Sequence, residues 1–144
     1  MYETILFPTD GSEGTAQIAA HVGSLAERFD ATVHVVSVLD TRNRFEGPNM
    51  GVGESVWSET ERERAETVVE RTAGQLPADV AVEKHVESGV PYKVILEHAD
   101  RAAVDLIVMG THGRTGIDHY LLGSVAEKVV RHATAPVLTV RIEA

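Results

Sequence analysis

Short apolar runs alternate with longer amphipathic stretches along all 144 residues of the chain. Thr4-Ile-Leu-Phe7 is a brief strand pattern closed by Pro8. Ile18, Ala19, Val22, Leu25, Ala26 and Phe29 then recur at steps of three and four, which marks one face of a helix. Thr32-Val-His-Val-Val-Ser-Val-Leu39 is rich in β-branched residues and almost continuously apolar, the pattern of a strand covered on both faces.

Asp40 to Glu54 carries several charges, Gly47-Pro48, Gly51 and Gly53, and has no period; it reads as a loop. A charged helix follows, with Ala65, Val68, Val69, Ala73 and Leu76 as its buried stripe. Ser58 and Glu61 have capping-box spacing at its start, and Gly74 and Pro77 close it. Val80 to Val86 alternates as a strand, and Pro91 opens the next helix where its missing N–H is not needed. Val94, Ile95, His98, Ala99 and Ala102 form the inner side of that helix. A strand from Val104 to Met109, a helix from about Ser124 and a last strand from Pro136 to Ile142 complete the chain.

Five strands alternating with four helices predict an α/β fold with a mostly parallel sheet and right-handed crossovers, in one domain spanning residues 1–144. Ligands of such sheets bind beyond the carboxyl ends of the strands, where the winding direction switches. Two strand-end segments stand out: Pro8-Thr-Asp-Gly-Ser12 and the glycine-punctuated stretch from Gly110 to Ser124. The second is far longer than the roughly 2–6 residues that usually join a strand to a helix. A strand, a glycine-rich loop and a helix N-terminus in succession can hold phosphate through backbone N–H groups and the helix dipole.

Charge narrows the candidates for the ligand's partner groups. The net charge of −9 opposes nonspecific binding to nucleic acid or to an anionic membrane, so neither is expected as a partner. A phosphate must then be held by backbone dipoles and one or two placed cations. The chain has no cysteine, which excludes thiolate metal sites. The N-terminus lacks a signal-peptide pattern, and no apolar run approaches the roughly 20 residues that span a bilayer, so a cytoplasmic location is expected. His21, His34, His85, His98 and His132 are scattered without metal-ligand spacing, and His112 and His119 read as polar loop residues. No metal held by protein ligands alone is therefore expected.

Pro8-Thr9-Asp10 after the first strand, Gly89-Val-Pro91 before the third helix and Gly110-x2-Gly113-x9-Gly123-Ser124 together resemble the universal stress protein family, in its ATP-binding branch. The resemblance covers the whole chain. It implies a Rossmann-like five-stranded parallel sheet ordered 3-2-1-4-5 with helices on both faces, the fold shared with adenine nucleotide alpha hydrolases. It places the adenine near Pro8, Thr9, Asp10 and Val38, and the ribose between Asp10 and the Met109–Gly110 strand end. The phosphates fall on Gly113, Arg114, Gly123, Ser124 and Val125. The implied ligand is ATP, or ADP or AMP, with Mg2+ or Mn2+ held through its phosphates. The implied assembly is a homodimer through the C-terminal strand at residues 136–142.

Elementary chemistry supports several of these roles separately. Gly110 and Gly113 let the backbone approach a ligand. Gly123, Ser124 and Val125 can present consecutive N–H groups at a helix N-terminus, and Arg114 supplies a local cation. Two residues have a competing structural use. Ser124-Val-Ala-Glu127 has the spacing of a capping box, and Asp10-Gly11 is a common turn dipeptide. A nucleotide-responsive stress-regulatory module is the leading reading, because a phosphate cradle is present without an evident general base for water. A slow ATPase or a nucleotide-transferring enzyme on the same fold is the alternative, and whether the protein turns ATP over stays open.

Overall fold

The computed structural model describes residues 1–43, 54–111 and 122–142, and the side chains of residues 43 and 54–58 lie outside that description. Its strands are β1 (Thr4–Pro8), β2 (Thr32–Asp40), β3 (Ala81–Gly89), β4 (Leu106–Gly110) and β5 (Val137–Val140). Its helices are α1 (Thr15–Phe29), α2 (Glu54–Gly74), α3 (Pro91–Arg101) and α4 (Ser124–His132), with a short 3-10 turn at Thr41–Asn43. All strand pairs are parallel, and the sheet order is β3-β2-β1-β4-β5. The chain first winds outward through β2 and β3, then returns across β1 to β4 and β5. The switch in direction therefore falls between β1 and β4.

Alternation along β1 explains the two cores. Ile5 and Phe7 point to one face, where they meet Ile18, Ala19, Val22 and Ala26 of α1 and Val69 of α2. Leu6 points to the other face, with Val36, Ile107 and Met109, and packs against Ile95 and Ala99 of α3 and Ala126 and Val129 of α4. Ile5, Leu6 and Phe7 are fully buried, so each contributes about 1.5–3 kcal/mol of transfer free energy to the sheet's centre. The helix stripes expected from the three-and-four spacing are the faces that do this packing.

The element ends depart from the sequence expectations in informative ways. β3 continues through Ser88 and Gly89, because Asp40 and Gly89 still pair across β2 and β3. α2 begins at Glu54, so the Ser58–Glu61 spacing falls inside the helix and does not mark its start. Gly89 takes φ +146, which L side chains rarely adopt, and Val90 and Pro91 then start α3 as the proline predicted. Asp105 clasps the start of the sheet: its Oδ2 accepts the N–H groups of Glu3 at 2.8 Å and Thr4 at 2.9 Å. Among the described residues, no helix is long and apolar enough to cross a membrane.

Candidate functional site

The carboxyl end of β1 is fixed by hydrogen bonds before it turns. Pro8 is buried in the strand, and the N–H of Thr9 donates to Val36 at 2.9 Å. The Thr9 and Thr72 hydroxyls lie 3.2 Å apart, Thr72 being fully buried on α2. Asp10 then makes the turn that its pairing with Gly11 suggested: Oδ1 accepts the N–H of Ser12 at 2.9 Å. Gly11 has φ +74, and a Cβ there would stand 2.9 Å from Cγ2 of Val68, so glycine is required both by conformation and by space.

Beyond this turn Asp10, Ser37, Val38 and Leu39 line a small cavity with Glu61, Arg64, Ala65 and Val68 of α2. The structure thus brings Asp10 and Val38 to one place. Arg64 was not anticipated from the sequence. It sits on the cavity wall with its Nη1 3.7 Å from Oε2 of Glu61, a cation at the mouth of a crevice on an acidic protein.

Across the switch point from this turn stand the end of β4 and the start of α4. Ile5 pairs with Leu106 and Leu6 with Ile107, and continuing that register brings Pro8 level with Met109 and Thr9 level with Gly110. The Met109 side chain is buried in the core under α3 and α4, so its main chain is what reaches the strand end. Gly110 pairs with Val140, and the N–H of Thr111 donates to Val140 at 3.0 Å. Gly113 and Arg114 lie outside the described residues. The chain is back at the strand end by Gly123, whose N–H donates to the Thr111 carbonyl.

Two expectations about this end are corrected. Gly123, not Ser124, is the N-cap of α4, in extended conformation at φ −63 and ψ 158, and no side-chain hydroxyl caps the helix. Ser124 is the first helical residue and is exposed, so the Ser124–Glu127 spacing does not act as a capping box. Nor do Gly123, Ser124 and Val125 all present open N–H groups, since that of Gly123 is engaged by Thr111. The first intrahelical bond is Glu127 N–H to Gly123 carbonyl, at 2.9 Å. The N–H groups of Ser124, Val125 and Ala126 precede it and point out of the helix end, where the dipole favours an anion.

Three of the histidines read as scattered meet on the sheet face covered by α3. His34 of β2, His85 of β3 and His98 of α3 place one ring nitrogen each within 4.8 Å of the others. Strand register accounts for two of them: His34 pairs with Glu83 and Val36 with His85, so both histidines sit on one face of neighbouring strands. His98 is 2% exposed on the inner face of α3. Linear spacing could not show this meeting. Histidines placed on an apolar helix stripe and within a buried strand were the available signal.

Burial and neighbouring charges act on His34, His85 and the adjoining Glu87. Burial chiefly pushes the pKa of His34 below its ordinary value, with Glu83 opposing and His98 adding to the shift. Burial also leads in lowering His85, reinforced by His98 and His34. Burial works to raise the Glu87 carboxyl, but hydrogen bonds from Arg101 and His98 outweigh it and hold the pKa low.

Comparison with known proteins agrees with this geometry. The model of the universal stress protein family matches residues 1–141. Universal stress protein MJ0531 of Methanocaldococcus jannaschii is 38% identical over 143 residues, covering 98% of this chain and 83% of that protein. The solved structure of MJ0577 from the same organism aligns with a TM-score of 0.87 at 30% identity, over 99% of this chain and 98% of the other. A universal stress protein from Archaeoglobus fulgidus solved in complex with dAMP aligns with a TM-score of 0.60 at 21% identity, over 99% and 98% of the two chains. With a family match along nearly its whole length and the 3-2-1-4-5 parallel sheet, this chain belongs to the universal stress protein family.

Proposed function

We propose that this protein binds ATP in the crevice between the Thr9–Gly11 turn and the N-terminus of α4, and acts as a nucleotide-responsive regulator. The observation that carries the reading is the return of the chain from Thr111 to Gly123. It sets the outward N–H groups of α4 at the carboxyl end of β4, beside the end of β1. The triphosphate then lies against Ser124 and Val125, with Gly113 and Arg114 as the further phosphate-binding residues of the family motif. The adenine enters beside Val38 and Asp10, and the ribose lies between Asp10 and Gly110. Mg2+ or Mn2+ accompanies the phosphates and offsets their charge on an acidic protein. The dAMP complex of the Archaeoglobus fulgidus protein speaks for the fold's capacity to hold an adenine nucleotide.

The regulatory form is a homodimer in the cytoplasm. β5 ends the sheet, and its Leu138 is 37% exposed, an apolar side chain on a strand whose outer edge pairs with no other strand among the described residues. Such an edge is a template for a second copy. Titration with a fluorescent ATP analogue and Mg2+ tests the binding reading: wild type binds, and Gly113→Val and Gly123→Val lose affinity. No measurable affinity in wild type overturns it. Light scattering at micromolar concentration tests the dimer, and a monomeric mass refutes it.

A further inference from the structure

We propose that His34, His85 and His98 form a binding site for a divalent transition-metal cation of the zinc type, separate from the nucleotide crevice. Nδ1 of His34 lies 3.2 Å from Nε2 of His85 and 3.3 Å from Nε2 of His98. Two nitrogens bound tetrahedrally to one zinc at about 2.0–2.1 Å stand about 3.3 Å apart, so these two spacings match a common ligand sphere, and all three nitrogens lie within 4.8 Å of one another. Hydrogen bonding serves the trio poorly, because Nδ1 of His34 has one proton or one lone pair, according to tautomer, to offer two neighbouring ring nitrogens. One cation takes all three lone pairs.

The atoms behind the ligands prepare the same outcome. Oε2 of Glu87 lies 2.5 Å from Nδ1 of His98, which fixes the proton there and turns the Nε2 lone pair toward the other two rings. Arg101 donates to the other oxygen of Glu87 at 2.8 Å and so holds that carboxylate in place behind His98. Oε2 of Glu83 stands 3.5 Å from Nε2 of His34, leaving Nδ1 of that ring as the donor to metal. Carboxylate behind histidine behind metal is the usual support of an imidazole ligand.

Three neutral imidazoles and an open fourth position suit zinc with a water or small anion completing the sphere. The metal would join β2, the edge strand β3 and α3. His34 precedes Val38 of the nucleotide crevice by four residues, about 13 Å along the strand, so the two sites do not share ligands.

The test uses the tag-free full chain and Zn2+ alone, with uptake read by equilibrium dialysis and elemental analysis. One zinc per chain is expected in wild type. His85→Gln removes the most exposed of the three ligands and should abolish stoichiometric uptake while keeping the circular dichroism spectrum. Glu87→Gln removes no ligand and should weaken binding roughly 10–100-fold. No uptake by wild type, or uptake unchanged in His85→Gln, overturns the proposal. Co2+ added to wild type provides a readout that needs no variant: strong visible absorption of a four-coordinate ion is expected, and a purely six-coordinate spectrum overturns the site.

Discussion

The N–H of Gly123 donates to the carbonyl of Thr111 at 2.6 Å, drawing together the two ends of the long glycine-rich segment. One N–H of the proposed phosphate site is thereby used between the segment's two ends, and the helix end offers those of Ser124 and Val125 instead. Ser124 is left with a hydroxyl that no capping bond holds.

Ser124→Ala should therefore separate stability from binding. Replacing a capping serine by alanine costs about 1 kcal/mol, whereas a surface change without such a bond stays within about 0.5 kcal/mol. Urea unfolding of Ser124→Ala is expected to give the smaller value. Affinity for the ATP analogue should fall about tenfold or more, the loss of a hydrogen bond to a charged group worth roughly 1.5–3 kcal/mol. A destabilisation near 1 kcal/mol with unchanged affinity would show the hydroxyl to be a cap.

The order of elements and the buried stripes were readable from the sequence because each strand and helix obeys its own period, as Ile18, Ala19, Val22 and Ala26 do on α1. Pro91 marked the start of α3 through a constraint local to its own ring. The sites were harder, since they depend on distance in space. His34 and His85 are 51 residues apart and meet only through the pairing of β2 with β3. Arg64 reaches the crevice because α2 crosses the end of β2, a placement no linear spacing encodes. The capping motif at Ser124 misled for a related reason: the Thr111 carbonyl claims Gly123 and sets the helix start one residue earlier than the motif implies.

Asp105 should matter more than an acidic residue near a strand end usually does. Its Oδ2 accepts two main-chain N–H groups from β1, and its own N–H donates to the Thr4 carbonyl at 2.9 Å, so β1 and β4 are tied before their ladder begins. Asp105→Ala leaves both donors without this acceptor, at a cost of about 1–3 kcal/mol. Chemical denaturation at neutral pH reads the loss directly. A change below about 0.5 kcal/mol would mean that water replaces the carboxylate at no cost.

The end of β2 carries a small acid-sensitive pair. Burial works to raise the Asp40 carboxyl, but the hydrogen bonds and charge of Arg42 outweigh it and hold the pKa below its ordinary 3.8. A carboxylate depressed in the folded state adds stability above its unfolded pKa and loses it as pH falls through the folded value. The pair is partly solvated, so the contribution is about 0–1 kcal/mol. Arg42→Ala should accordingly be slightly less stable than wild type at pH 7, with the difference vanishing as pH falls below about 4. Denaturation midpoints of the two proteins across that range provide the check, and a difference that grows on acidification would contradict this account.

Ala103 offers a stabilising change. It follows α3 with φ +51, and the N–H groups of Ala103 and Val104 donate to Asp100 at 3.3 Å and to Ala99 at 2.9 Å. That bonding closes the helix in the left-handed manner that glycine usually supplies. An alanine pays about 1–2 kcal/mol of steric cost to stand there. Glycine relieves it but lowers stability by roughly 0.4–1 kcal/mol through the greater freedom of the unfolded chain. The residue is exposed, so no packing is lost. Ala103→Gly should thus raise stability by about 0.5–1 kcal/mol, the difference of those two effects, and lift the thermal midpoint by a few degrees without altering nucleotide affinity. A lower midpoint would mean that the left-handed turn is relaxed at alanine's expense less than its φ implies.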